Sequence, residues 1–213
     1  YNIDTNFFPV LNHIEDGAKI IYPNYFGVCD HQAELVIDYF TADRVILDIS
    51  QGFTTELNAF AVINSIRKFL PVPDGAVLAT RFPLKHTSLK KVKKINYNHL
   101  LETDEGGTYS AYKKHELTFN SINCAKMSDV SKIIIGAIDI DNVRAVRQKN
   151  FQCLEYEFSK NNLLKIRSVC KFPLSYPLLF DTVIDKEKFY EEKIFIPTYW
   201  AMEPDLCYND FER

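Results

Sequence analysis

The sequence predicts an α/β fold: a mostly parallel sheet in a large domain, followed by a small C-terminal α/β domain. Three observations predict it. Short aliphatic runs of strand length, at 19–22, 45–47, 60–63 and 76–79, begin with a helical segment between the first two. This strand, helix, strand order is that of parallel βαβ units. A long segment at 142–160 carries Val143, Val146, Leu154 and Phe158 at helical spacing. Past it come further short β-type runs and one short helix, which sets the division at 1–140 and 141–213.

Taken in order, residues 1–19 are a short extended piece and then turn signals at Glu15-Asp16-Gly17. A strand at 19–22 ends at Pro23-Asn24-Tyr25-Phe26-Gly27, and a helix follows at 31–40, with Leu35, Ile37 and Phe40 as its core contacts. Val45, Ile46 and Leu47 form a strand buried on both faces, with Asp48 at its C-terminal end. The run at 60–63 leads through Ser65, Ile66, Arg67, Lys68 and Phe69 to the rigid turn Pro71-Val72-Pro73-Asp74-Gly75 and a further strand. The lysine-rich stretch 83–94 is a solvated face, and 102–107 is a polar linker. A helix over 111–121 exposes Lys113, Lys114 and His115; Ser128 or Asp129 caps the next helix, and Asp141 caps the long one. The remainder holds strands at 165–169, 174–179 and 193–197 and a helix at 186–192, with Trp200 beyond.

Composition narrows the function. With 46% hydrophobic and 25% charged residues, the chain is ordinary for a globular protein. A net charge of −3 leaves no basic field for nucleic acid or an anionic membrane. No apolar run reaches the roughly 18 residues of a membrane span, and no secretory leader is visible, so a cytoplasmic location is expected. The five cysteines are odd in number and lack C-x-x-C spacing, which points to reduced thiols. The five histidines have no metal-ligand spacing, and no metal site is expected. Sixteen Phe and twelve Tyr suit interfaces as well as cores.

A carboxylate at one strand end and a lysine just past the next put opposite charges at one edge of an open sheet, where α/β folds bind ligands. At these residues the chain resembles a known family. Asp48-x-x-Gln51, Ser65-Ile66-Arg67-Lys68-Phe69 and Pro73-Asp74-Gly75 are similar to the DegT/DnrJ/EryC1/StrS pyridoxal-phosphate (PLP) aminotransferases, fold-type I enzymes related to aspartate aminotransferase. The likeness continues through Asn24-Tyr25-Phe26-Gly27, Met127-Ser128-Asp129 and Ile196-Pro197-Thr198-Tyr199-Trp200.

The resemblance implies a partial PLP-transferase large domain, a linking helix and a small domain. It implies Lys68 as the Schiff-base lysine and proton-transfer base, Asp48 against the pyridine nitrogen, and Gln51 on the phenolic oxygen. The phosphate-binding serine of the family falls at Ile63, five positions before Lys68; Ser65 is the nearest hydroxyl and the remaining cofactor-binding candidate. The partners implied are an amino donor, a keto acceptor such as a nucleotide-linked keto sugar, and a second copy in a homodimer. The loops at 24–27 and 195–200 would supply its apolar contacts. Family members are longer than these 213 residues, and the likeness begins within their large domain, so the phosphate cradle and ring-stacking side chain are expected to be missing from this chain. A non-catalytic ligand- or partner-binding relative on the same scaffold is the alternative.

Overall fold

The computed structural model describes residues 2–10, 15–53, 58–84, 89–91, 100–101, 105–119, 124–166, 170–182 and 184–196. Its centre is a four-stranded mixed sheet of β3 (Ile20–Pro23), β4 (Val45–Asp48), β5 (Ala61–Ser65) and β6 (Ala76–Thr80), in that spatial order. The first three strands are parallel and β6 is antiparallel. A hairpin of β1 (Asn2–Ile3) and β2 (Pro9–Val10) precedes them, and β7 (Lys90–Lys91) pairs with β8 (Ala125–Lys126) in a small parallel ladder. The helices are α1 (Asp30–Phe40), α2 (Glu105–Phe119), α3 (Asp129–Ala137), α4 (Ile140–Phe158) and α5 (Lys186–Glu191). An α/β architecture is therefore present, and β3–α1–β4 is the expected parallel unit.

Alternation along the strands decides where the core sits. Ile20, Tyr22, Val45, Leu47 and Val62 are buried on one face, where Ala33, Val36 and Phe40 of α1 cover them. The phenol of Tyr22, fully buried, donates to Phe7 O at 2.7 Å, which ties the hairpin to the sheet. The opposite face is partly open among the described residues, although Ala61, in register with Ile46, is buried. Ile21, Ile63 and Leu78 lie there at 57%, 39% and 50% exposure, and Ile46 is half-buried beside them. Burial of β4 on both faces is thus corrected, because the described helix of this crossover covers only the Val45–Leu47 side. Leu35 is corrected with it: it points outward on α1, and Ala33 and Val36 take the core positions.

Several further expectations change for physical reasons. Asp139 caps α4, accepting from Asn142 N at 3.0 Å, whereas Asp141 sits in the first turn and pairs with Arg144. Of the stripe Val143–Val146–Leu154–Phe158, Val143 packs against the cluster around Phe69 and Phe172, but the stripe as a whole is not buried. Val146 and Leu154 are exposed at 50% and 41%, and the buried anchor is Phe151, against Tyr176. Helix α2 begins inside the stretch expected as a linker, and His115 is buried at 3% because its Nε2 meets Pro73 O at 2.6 Å; Lys113 and Lys114 are exposed as expected. Ser128 caps α3 through its hydroxyl, and Asp185 caps α5.

Of the three C-terminal strands, the described parts are irregular, since their backbone groups bond to loops and side chains rather than to a ladder. Residues 167–169 and 197–200, including Trp200, lie outside the described residues. The segment at 170–176 instead crosses the proposed division at 140 and inserts into the first half. Lys171 N donates to Asp30 Oδ2 at 2.9 Å, and Leu174 N to Phe26 O at 2.8 Å. Phe172 lies between Phe53 and Phe69.

Candidate functional site at the C-terminal edge of the sheet

Parallel strands end on the same side, so β3, β4 and β5 deliver three loops to one edge, and β6 starts there. The residues after β3 are Asn24-Tyr25-Phe26-Gly27, those at the end of β4 are Asp48 to Gln51, and those after β5 run from Ile66 to Gly75. Stretches scattered over more than fifty residues are thereby gathered at one place.

Asp48 is half-buried; its Oδ1 accepts from Ser50 N at 2.9 Å, and Oδ2 takes no hydrogen bond from a described residue. Its backbone carbonyl accepts from Asn24 N at 2.8 Å, and its register partner on β5 is Ile63. Gln51 spans two of the loops: Oε1 accepts from Phe26 N at 2.7 Å. A backbone N–H can only donate, so this contact fixes the amide orientation and turns Nε2, a donor, away from Phe26. Ser65 ends β5, half-buried, and its hydroxyl takes no described partner. Ile63 sits two residues earlier on the open face.

Lys68 is the last residue of the single 3₁₀ turn Ile66–Lys68 that follows β5. Its own side chain is exposed, but both neighbours are fixed. Arg67 pairs with Glu116 of α2. Burial pulls its guanidinium below the ordinary arginine value, and Tyr112 and Asp74 oppose that pull. Phe69 is buried in an aromatic box with Phe53 and Phe172, ring centroids 5.6 and 5.2 Å away, and the Arg147 guanidinium lies 5.1 Å from its centroid. Such contacts combine area burial with cation–π attraction. The turn is therefore held on both sides while its amine faces outward.

Two buried polar junctions brace this edge, and sequence reasoning assigned neither. In the first, Asn24, 1% exposed, accepts from Cys29 N at 2.8 Å and donates to Asp30 Oδ1 at 2.8 Å. Burial raises the Asp30 carboxyl above its usual range, against the lowering effect of its bonds to Lys171 N and Asn24. In the second, Asp74 accepts from Ser128 N at 2.9 Å and Ser128 Oγ at 2.6 Å, and also from Ser131 Oγ. Pro73-Asp74-Gly75 and Met127-Ser128-Asp129, two of the stretches quoted for the resemblance, are thus bonded to each other. The available signal was their composition: Asp after Pro, and Ser before a helix, are cap and turn residues.

Within the loop 24–27, Asn24 and Gly27 are buried, and Tyr25 and Phe26 are half-buried, with Phe26 bonded to Gln51 and Leu174. Phe195 is 74% exposed. Cys29 and Cys170 are buried thiols in no disulfide, and burial pushes Cys170 up to about 12. Cys124 and Cys153 are exposed and free, and Cys207 lies outside the described residues. Among the described residues, no cluster of His, Cys, Asp or Glu could hold a metal ion, and no helix is long and apolar enough to cross a membrane.

Compared with family models, with curated proteins and with solved structures, the chain matches none.

Proposed function

We propose that this protein is a PLP-dependent aminotransferase-like protein that moves an amino group to a keto substrate, with Lys68 as its reactive amine. The observation that supports it is the common edge: Asp48, Gln51 and Lys68 end or follow adjacent parallel strands, with the lysine exposed between two fixed neighbours. The donor set fits the cofactor. Among the described residues nothing occupies Asp48 Oδ2, which is available to a protonated ring nitrogen. Gln51 keeps its amide N–H donors for a phenolic oxygen, because Phe26 already occupies the carbonyl. When bound, the cofactor supplies an electron sink for the carbanion formed at the substrate α-carbon. Lys68 would hold the cofactor through Nζ, and the same atom would take and return the substrate α-proton. The Arg67–Glu116 pair and the Phe69 box hold the turn from which that amine projects.

One observation favours the alternative, a non-catalytic ligand- or partner-binding relative. The position implied for the phosphate hydroxyl is Ile63, an apolar side chain 39% exposed. Borohydride reduction of the protein with PLP, followed by peptide mapping, separates the two. The expected result is label concentrated on Lys68 and lost in Lys68→Ala. Label spread over surface lysines, unchanged in that variant, would move the assignment to the non-catalytic reading.

A further inference from the structure

We infer that the outer edge of β6 pairs antiparallel with β6 of a second copy of this chain, on a two-fold axis at Leu78. This does not rest on the aminotransferase reading. β6 bonds to β5 on one side, and no described strand lies on the other. Ala76, Val77, Leu78 and Ala79 are all exposed, Val77 at 38% and Leu78 at 50%.

An outer strand carries a row of unpaired N–H and C=O groups, and proteins usually blunt such a row with lysine, proline, a bulge or a short length. β6 has none of these. It is five uncharged residues, Ala-Val-Leu-Ala-Thr, and the first proline comes at Pro83, past its end. The other outer strand, β3, is shorter and ends in Pro23, which has no N–H to donate.

The partner is a second copy because the strand is self-complementary. A two-fold at Leu78 is the register that pairs all five residues: Ala76 with Thr80, Val77 with Ala79, and Leu78 with itself. No like charges meet in that ladder, and its pairs are small, β-branched or apolar. The face continues as well. Leu78 is in register with Ile63 on the open side, so the joined sheets place the two Ile63–Leu78 rows end to end.

Leu78→Lys and Leu78→Glu test this through the axis. Light scattering should find the wild-type chain dimeric and each variant monomeric under the same conditions, with the dimer restored in their equimolar mixture, where Lys faces Glu. Ile21→Lys, on the far edge, should leave the dimer intact. A monomeric wild type, a dimer that survives both single variants, or a mixture that stays monomeric would each overturn the proposal. Hydrogen exchange on the unaltered chain gives an independent reading. Protection of the 76–80 amides should rise with protein concentration, and protection that does not change with concentration would overturn it.

Discussion

Two polar junctions brace the same sheet edge, and they are built on different principles. At the first, around Asn24, Asp30 and Gly27, main chain approaches main chain. Gly27 has φ +73°, and a Cβ placed there would lie 2.2 Å from Gln51 O and within 3 Å of Phe172 O and Leu174 N. At the second, Asp74 accepts from the N–H and hydroxyl of Ser128, the cap of α3, and from the Ser131 hydroxyl, and the close approach beside it is softer. A Cβ on Gly75 would meet Met127 Cε at 2.9 Å, the far end of a flexible side chain, and φ +129° there adds backbone strain for any L residue. Backbone cannot yield, whereas a thioether can. Substitution at the first junction therefore adds main-chain overlap to backbone strain, and at the second it carries the strain with a yielding contact.

The largest test of that contrast is Gly27→Ala. Overlap with three main-chain atoms at a positive φ should cost more than about 4 kcal/mol, enough to abolish cooperative unfolding in urea. Gly75→Ala, tested beside it, should keep a folded chain. A Gly27→Ala protein with an unchanged urea midpoint would erase the distinction.

Asp74→Ala is the middle test. It removes charge-assisted bonds to Ser128 and Ser131, but the α3 cap from Ser128 Oγ to Ser131 N remains. The expected loss is about 2–3 kcal/mol by urea denaturation, with Asp74→Asn losing less. A loss as severe as that of Gly27→Ala would show that the second junction is no softer than the first.

The smallest effect is one of pH, at the first junction alone. Burial raises the Asp30 carboxyl above its ordinary 3.8. The folded chain thus keeps a proton that the unfolded chain has already lost. The stability from that proton is complete below the ordinary value and is lost as pH rises through the raised one. Urea midpoints taken across that window should fall with increasing pH relative to Asp30→Asn, in which the slope is absent. An opposite slope would mean that the bonds from Lys171 N and Asn24 outweigh burial.

The sheet was legible in sequence because its strands are short β-branched runs bounded by turn residues, and α1 because it lies between two of them. The edge was legible in the same way, since Asp48 and Lys68 terminate or follow such runs. What escaped was whatever depends on distant partners. His115 reads as a surface residue beside Lys113 and Lys114, yet Pro73, 42 residues away, captures its ring. Val146 and Leu154 have helical spacing, but nothing described faces them, and periodicity cannot supply a partner. Residues 170–176 look like part of a separate domain because Asp30, which binds Lys171 N, is 141 positions earlier.

That last contact has a consequence for biosynthesis. The Asn24–Asp30 junction leaves the ribosome well before Lys171, whose N–H completes the contacts of its carboxylate. At roughly 5–20 residues per second, the wait is on the order of 7–30 s. Through that interval Cys29 lacks the neighbouring Phe172 segment, and the 24–30 loop is closed on one side only. Nascent chains halted before residue 171 is made and after residue 174 has emerged should therefore differ sharply in protease resistance around Asn24, with the site sealed by residues 171–174.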